Sequence, residues 1–301
     1  MSSKIEIAGR GFTVGGKLIR TARVYGEKYL FLDDPEAAIA GLRKCGTRVD
    51  IFTFMPRLPD TKPQYNYLYE WDNLAVLPIT TFDHWWNEQI KFKARNKAKQ
   101  AEKKGVVIRE VPFSEELVKG IWEVYNETEV RQGNRNVHFG KDLATVHREE
   151  ATHLDKSIFI GAYLGEQLIG FIKLVHDETK TQAGLMNIVS MIRERDKAPT
   201  NALVAQAVRS CADRGISYLV YSNFAYGKKQ NSTLSDFKER NAFERVDLPR
   251  YYVPLTPLGS MALRLGLHHR FADRLPESVA TKLRSLRAAW YNRKMPTAAS
   301  E

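Results

Sequence analysis

Hydrophobic and polar positions alternate most clearly between Ser157 and Lys238. The apolar runs Ser157 to Leu164 and Leu168 to Val175 are joined by Gly165-Glu166-Gln167. Two β-rich runs across a short glycine-containing link predict a hairpin. Gly184 to Met191 predicts a third strand after the polar turn Asp177 to Gln182. The period then changes. Leu203, Ala207, Val208, Cys211 and Ala212 line one side of a helix that stops at Gly215, where a left-handed residue closes a helix at little cost. Ile216 to Tyr221 reads as a strand, Thr233 to Arg240 as a short helix, and Tyr251 to Val253 as a last strand. The order β-β-β-α-β-α predicts an α/β (α+β) fold, a mixed central sheet flanked by helices.

The first 80 residues follow the same logic more sparsely. Phe12 to Val14, Gly15-Gly16 and Lys17 to Ile19 read as a small hairpin, with strands at Tyr29 to Leu32 and Val49 to Phe54 around a helix at Pro35 to Lys44. Pro56, Pro59 and Pro63 interrupt regular structure. Tyr65, Tyr67, Tyr69 and Trp71 then recur at every second position, which on a strand shares one face. Such a face either stacks on a sugar or base or packs on the core. A basic helix is expected from Phe82 to Lys104, closed by Gly105, with Trp86, Ile90, Ala94, Ala98 and Ala101 as its apolar stripe. Far along, Val279, Leu283, Leu286 and Trp290 mark one face of a terminal amphipathic helix. Three regions result: 1–80, 81–256 and 257–301.

Composition changes this picture mainly through charge. Of 301 residues, 43% are hydrophobic and 11% aromatic, which suits a sizeable core and excludes a disordered chain. Net charge is +11, favouring anionic partners. It is concentrated: Lys91 to Lys104 has seven Lys or Arg against one Glu, and Arg264 to Lys294 eight against two. Each stretch nets +6, so everything else sums to −1. The two cysteines, Cys45 and Cys211, have neither metal-ligand nor disulfide spacing. No metal is expected. With no apolar run of membrane-spanning length and no signal-like start, a cytoplasmic location is expected. The basic terminal helix would offer peripheral contact with an anionic membrane.

The strand-helix order resembles the acyltransferase core of the GNAT superfamily. Gly161 to Phe171, and Leu234-Ser235-Asp236-Phe237-Lys238 leading into Asn241-Ala242-Phe243, are similar to the Fem-type branch, which transfers aminoacyl groups, and to its acyl-CoA-using relatives. Arg95 to Val106 looks like the basic helix leading into the core of Fem-like proteins. The likeness spans roughly 80–255, and Fem-type proteins carry two GNAT-like halves, so 1–80 reads as a reduced first half.

What that resemblance implies is an N-acyltransferase moving an acyl group from acyl-CoA, as co-substrate, to a primary amine in a ternary complex. The acceptor would be an amino sugar, an amino acid or a cell-envelope precursor. The alternatives are an aminoacyl-tRNA-dependent aminoacyltransferase, with tRNA as partner, and a non-catalytic binding protein on a degenerate fold. By the same resemblance Lys238 stabilises charge on the acyl carbonyl, Tyr226 protonates the leaving group, and Glu127 or His138 takes the amine proton. Arg131, Arg135, Tyr67 and Tyr69 are acceptor-binding candidates. Ser190, Met191, Arg193, Arg195, Lys197, Thr200, Asn201 and Asn223 are donor-binding candidates. The donor loop departs from the acetyltransferase pattern. Arg195-Asp196-Lys197-Ala198-Pro199-Thr200 stands where Arg or Gln, two residues, Gly, one residue and Gly or Ala are usual. Pro199 removes an amide donor, and Asp196 places a carboxylate near the phosphate position.

Overall fold

The computed structural model describes residues 3–7, 9–27, 31–32, 34–131, 134–225 and 233–269. The chain begins β1 (Ser3–Ile7), β2 (Arg10–Gly15), β3 (Thr21–Val24), α1 (Pro35–Lys44), β4 (Ile51–Phe54) and β5 (Leu68–Pro78). Next come α2 (Phe82–His84), a π-helical turn (Trp85–Gln89), α3 (Phe92–Lys103), β6 (Val106–Val111) and α4 (Glu115–Asn126). A minimal hairpin, β7 (Val130–Arg131) and β8 (Asn134–Arg135), precedes α5 (Leu143–Glu150). The chain continues with β9 (Ser157–Leu164), β10 (Gln167–His176), β11 (Gln182–Ser190), α6 (Pro199–Ala212) and β12 (Tyr218–Val220). It ends in α7 (Thr233–Arg240), β13 (Glu244–Pro254) and α8 (Pro257–Arg264).

One sheet of eleven strands carries the fold, in the order β1-β2-β3-β4-β13-β5-β12-β11-β10-β9-β6. Its parallel neighbours are β3 with β4 and β11 with β12. Both pairs close the same unit, an antiparallel three-strand meander followed by a helix and a parallel strand: β1-β2-β3-α1-β4 and β9-β10-β11-α6-β12. The two units exchange strands. β5, which follows the first, pairs with β12 of the second, while β13, which follows the second, pairs with β4 of the first. β5 and β13 join each other antiparallel in the middle. Apolar residues from α3, α4 and α6 bury the second unit's sheet, and α1 covers the first.

Several local expectations change. Ser3–Ile7 is a strand, and the chain at Lys17 to Ile19 is a turn, so the first hairpin is β1–β2. Tyr65 and Tyr67 precede β5 and pack against the first unit's core. The basic helix is not continuous: Ile90 is extended, and the Lys91 amide donates to Arg240 O at 3.0 Å. Trp85, fully buried, donates its indole N–H to Asn241 O at 3.2 Å. Docking of an aromatic of this size onto the end of α7 outweighs one more turn of helix. Ala94, Ala98 and Ala101 are buried as the stripe predicted. Of the C-terminal extension, α8 is described, while the helix marked by Val279, Leu283, Leu286 and Trp290 lies outside the described residues. Among the described residues no helix is long and apolar enough to cross a membrane.

A cleft opens where β11 and β12 part. They pair only from Gln182 to Gly184 against Tyr218 to Val220. Beyond that, β11 follows β10 out to Ser190 opposite Gly170, past a bulge beside Lys173 and Leu174. Bulges bend the strand that carries them. The chain after β12 follows β5 instead, with Tyr221 N–H donating to Ala75 O and Ala75 N–H to Ser222 O. Gly170 permits the arrangement, since a Cβ there would stand 2.7 Å from Cβ of Ser190.

Candidate active site

The cleft widens into a cavity of about 860 Å³ between the end of β11, the start of α6, α7 and α3. Ile188, Val189, Met191, Leu234 and Phe237 make its apolar lining. Its charged lining is Lys93, Lys97, Arg131, Arg195 and Arg240, with no carboxylate among the described lining residues. Lys93 and Lys97 lie one turn apart on α3 beside buried Ala94, which spacing i,i+4 places on one face. Neither Lys93 nor Arg195 has an ion-pair partner among the described residues. Such a wall attracts an anion, because a concave surface focuses the field of one sign.

The loop expected to hold the donor forms a short 3₁₀ turn at Arg195–Lys197 before α6. Ala198 caps α6 in the left-handed region, at φ 55°, with Pro199 next. The carboxylate of Asp196 is answered by Lys104 at 2.7 Å, and Gln100 donates to its carbonyl at 2.6 Å, tying the loop to α3. Lys104 thereby holds Asp196 below the usual carboxylate range despite some desolvation. Few amides remain for a phosphate. Ala198 N–H donates to Arg195 O, Asn201 N–H to Ala198 O, and Pro199 has none. The amides of Ile192 and Arg193 are taken by the Glu127 carboxylate, at 2.7 and 2.9 Å. The cationic groups facing the cavity are long side chains.

Ser190, Met191, Arg195, Thr200, Asn201 and Arg131 all line the cavity. Ser190 and Thr200 join their hydroxyls at 2.5 Å, bridging β11 to α6. Arg131 donates to Ser190 O and lies 3.4 Å from Glu127. Burial lowers its pKa while Glu127 opposes this. The remaining candidates stand elsewhere. Arg193 points toward Glu194 at 3.6 Å, and Lys197 bonds Glu194 at 2.7 Å, which raises the ammonium's pKa. Asn223 donates to Asp72 at 2.8 Å. Lys238 is fully buried, donating to Asn223 O at 2.5 Å and facing the Tyr221 ring at 4.7 Å. Glu127 sits behind the cavity wall as a clamp on two amides.

His138 stacks on Tyr125, with ring centroids 4.0 Å apart, and is not part of the cavity lining. Burial, then Lys141, pushes its pKa down to about 4, so the ring is neutral at pH 7. Arg135 is exposed on β8. Tyr67 bonds Glu36 of α1, and Tyr69 of β5 packs edge-on against Trp71 at 5.6 Å, and neither lines the cavity. Tyr226 lies outside the described residues. Sequence reasoning did not single out Lys93, Arg240 or Tyr221 as site residues, and it read Phe237 as core. The basic run was the available signal for Lys93.

Solved structures that match most of the chain include these three. The C-terminal DUF2156 domain assigned to a lysylphosphatidylglycerol synthetase from Agrobacterium fabrum has TM-score 0.57 and 12% identity, covering 87% of each chain. L-PGS from Bacillus licheniformis has TM-score 0.56 and 14% identity, over 88% of this chain and 87% of that one. FemX has TM-score 0.54 and 10% identity, over 87% and 90%. The fold is GNAT-like, of the Fem type. No family model and no curated protein matches the sequence. At such identities it is the GNAT-like fold that is shared. The cavity lies where this fold's second unit splays its parallel strands.

Proposed function

We propose that the chain is a transferase that moves an aminoacyl group from tRNA to an amine acceptor by direct attack within the cleft. The observation that carries this is the cavity wall: among the described residues five cations, no carboxylate, and loop amides largely consumed by Glu127 and by the turn before α6. Acetyltransferase-type CoA binding relies on loop amides at a helix start. Dispersed Lys and Arg side chains suit a longer phosphate backbone. The name of one neighbour, a lysylphosphatidylglycerol synthetase, supports an aminoacyl group as the group transferred. In the reaction the amine nitrogen bonds to the acyl carbon as the carrier's ester bond breaks. The proton lost by the amine passes to the departing ribose oxygen.

A second reading keeps acyl-CoA as donor, favoured by the apolar strip Ile188, Val189, Met191 and Phe237 along the cleft. That strip would take a thioester arm or an acyl chain. Incubation of the purified chain with charged tRNA or with acyl-CoA, each with a panel of amines, separates the two. Amide product from charged tRNA alone supports the first reading, and product from acyl-CoA alone replaces it with the second. No product and no binding of either donor would favour a non-catalytic platform.

A further inference from the structure

Outside the cavity lining, three side chains able to ligate a metal converge on the β5–β13 pair at the middle of the sheet. Glu70 of β5 stands opposite Arg250 of β13 in register, beside the Leu68–Tyr252 pair. After α8, Gly266 adopts φ 63° and Leu267 N–H donates back to Ala262 O at 2.8 Å. This left-handed cap turns the chain so that His268 and His269 lie over that face. Nε2 of each histidine is 3.1 Å from the same Glu70 oxygen, and their rings are 4.0 Å apart. His268 is 4% exposed, tilted against Tyr252 at 4.7 Å, while His269 and Glu70 remain open to solvent.

We propose that Glu70, His268 and His269 form a binding site for one divalent metal ion of the zinc class. Two imidazole nitrogens and a carboxylate oxygen make a donor set suited to borderline transition ions. All three ligand atoms lie within 4.8 Å of one another. Metal–ligand bonds of about 2.0–2.2 Å at tetrahedral angles set ligand atoms roughly 3.3–3.5 Å apart, so the ion enters with small side-chain movements. The carboxylate is available for it. Arg250, its partner across the strands, is committed to Glu27 at 3.0 Å and Asp72 at 3.0 Å. Among the described residues the ion-pair partners of Glu70 are these two histidines.

As plain hydrogen bonds the arrangement is less economical. Both Nε2 atoms must carry protons aimed at one oxygen of Glu70. An ion uses the same lone pairs without those protons and leaves a fourth position facing solvent. It would tie the segment after α8 to a strand 198 residues earlier.

The test uses the full chain, without a histidine tag, stripped by chelator and titrated with Zn²⁺ by calorimetry and with Co²⁺ by absorption. One equivalent should bind, with the visible band of tetrahedral Co²⁺ and a raised melting temperature. Partners behind a ligand are worth about 10–100-fold in affinity, so E70Q and H269A should each lose at least that. H147A, an exposed histidine beside Glu115, should bind as the parent does. Absence of saturable binding at one equivalent, or parental affinity in E70Q and H269A, overturns the proposal. Should E70Q fail to fold, H269A, at a half-exposed position, decides.

Discussion

Removing the Glu127 carboxylate should loosen one wall of the cavity. Its two oxygens accept from the amides of Ile192 and Arg193, and it neighbours Arg131, which holds Ser190 O. Hydrogen bonds to a charged group contribute about 1.5–3 kcal/mol each. The carboxylate is 8% exposed but the two amides lie at the surface, where water replaces part of the loss. E127A should therefore cost about 2–3 kcal/mol and E127Q, which keeps one acceptor, about 1 kcal/mol. For a chain of this size that is a fall of roughly 3–5 °C in Tm for E127A. Donor KM should rise about tenfold, equivalent to about 1.4 kcal/mol, because Ser190, Met191 and Ile192 no longer hold their positions. Thermal unfolding and steady-state kinetics measure both. An E127A variant with parental Tm and KM but a large loss of kcat would refute the clamp and make Glu127 the base that takes the amine proton.

Two further substitutions probe the buried polar groups. His138 is held near pKa 4 against an ordinary 6.5. The unfolded chain therefore takes up a proton that the folded one refuses, so stability should decline as pH falls from 6.5 toward 4. After allowance for partial exposure this amounts to roughly 1–2 kcal/mol. H138Q should flatten the decline, and an imidazole titrating above pH 6 by NMR would contradict the burial argument. K238M should lower stability by about 1–3 kcal/mol through the stranded Asn223 carbonyl while leaving donor KM within a few-fold. A thousandfold fall in kcat at unchanged Tm would instead put this ammonium at the reacting carbonyl.

The second unit was legible because its meander and helix bury nearly continuous apolar runs, as in Leu168 to Val175. That Ser190, Thr200 and Asn201 lie together was legible as a consequence, since the connection between strand and helix keeps its own residues close. The rest depends on distant pairings. Glu127 meets its amides 65 and 66 residues later in the chain, and nothing in Tyr125 to Arg135 specifies that meeting. Of the two readings of the alternating aromatics, core packing holds for Tyr65, which meets Phe54 and Tyr251 with Tyr67 stacked on it, but the strand they implied does not reach them, because β5 begins at Leu68. The basic helix broke at Ile90 for a tertiary reason, the seat of Trp85 on α7. Glu70 and His268 carry no spacing motif at all.

Salt-dependent binding of charged tRNA tests the cation-lined cleft most directly. The parent chain is compared with K93A/K97A/R195A, and with K99A/K103A, whose lysines lie on exposed positions of α3 outside the cavity lining. Each lost phosphate contact flattens the log-affinity against log-salt slope by about 0.7–0.9. The cavity variant should lose orders of magnitude in affinity and about 2 in slope, while the outer-face variant keeps both near parental values. Parental affinity and slope in the cavity variant would contradict the assignment of this cleft as the donor site.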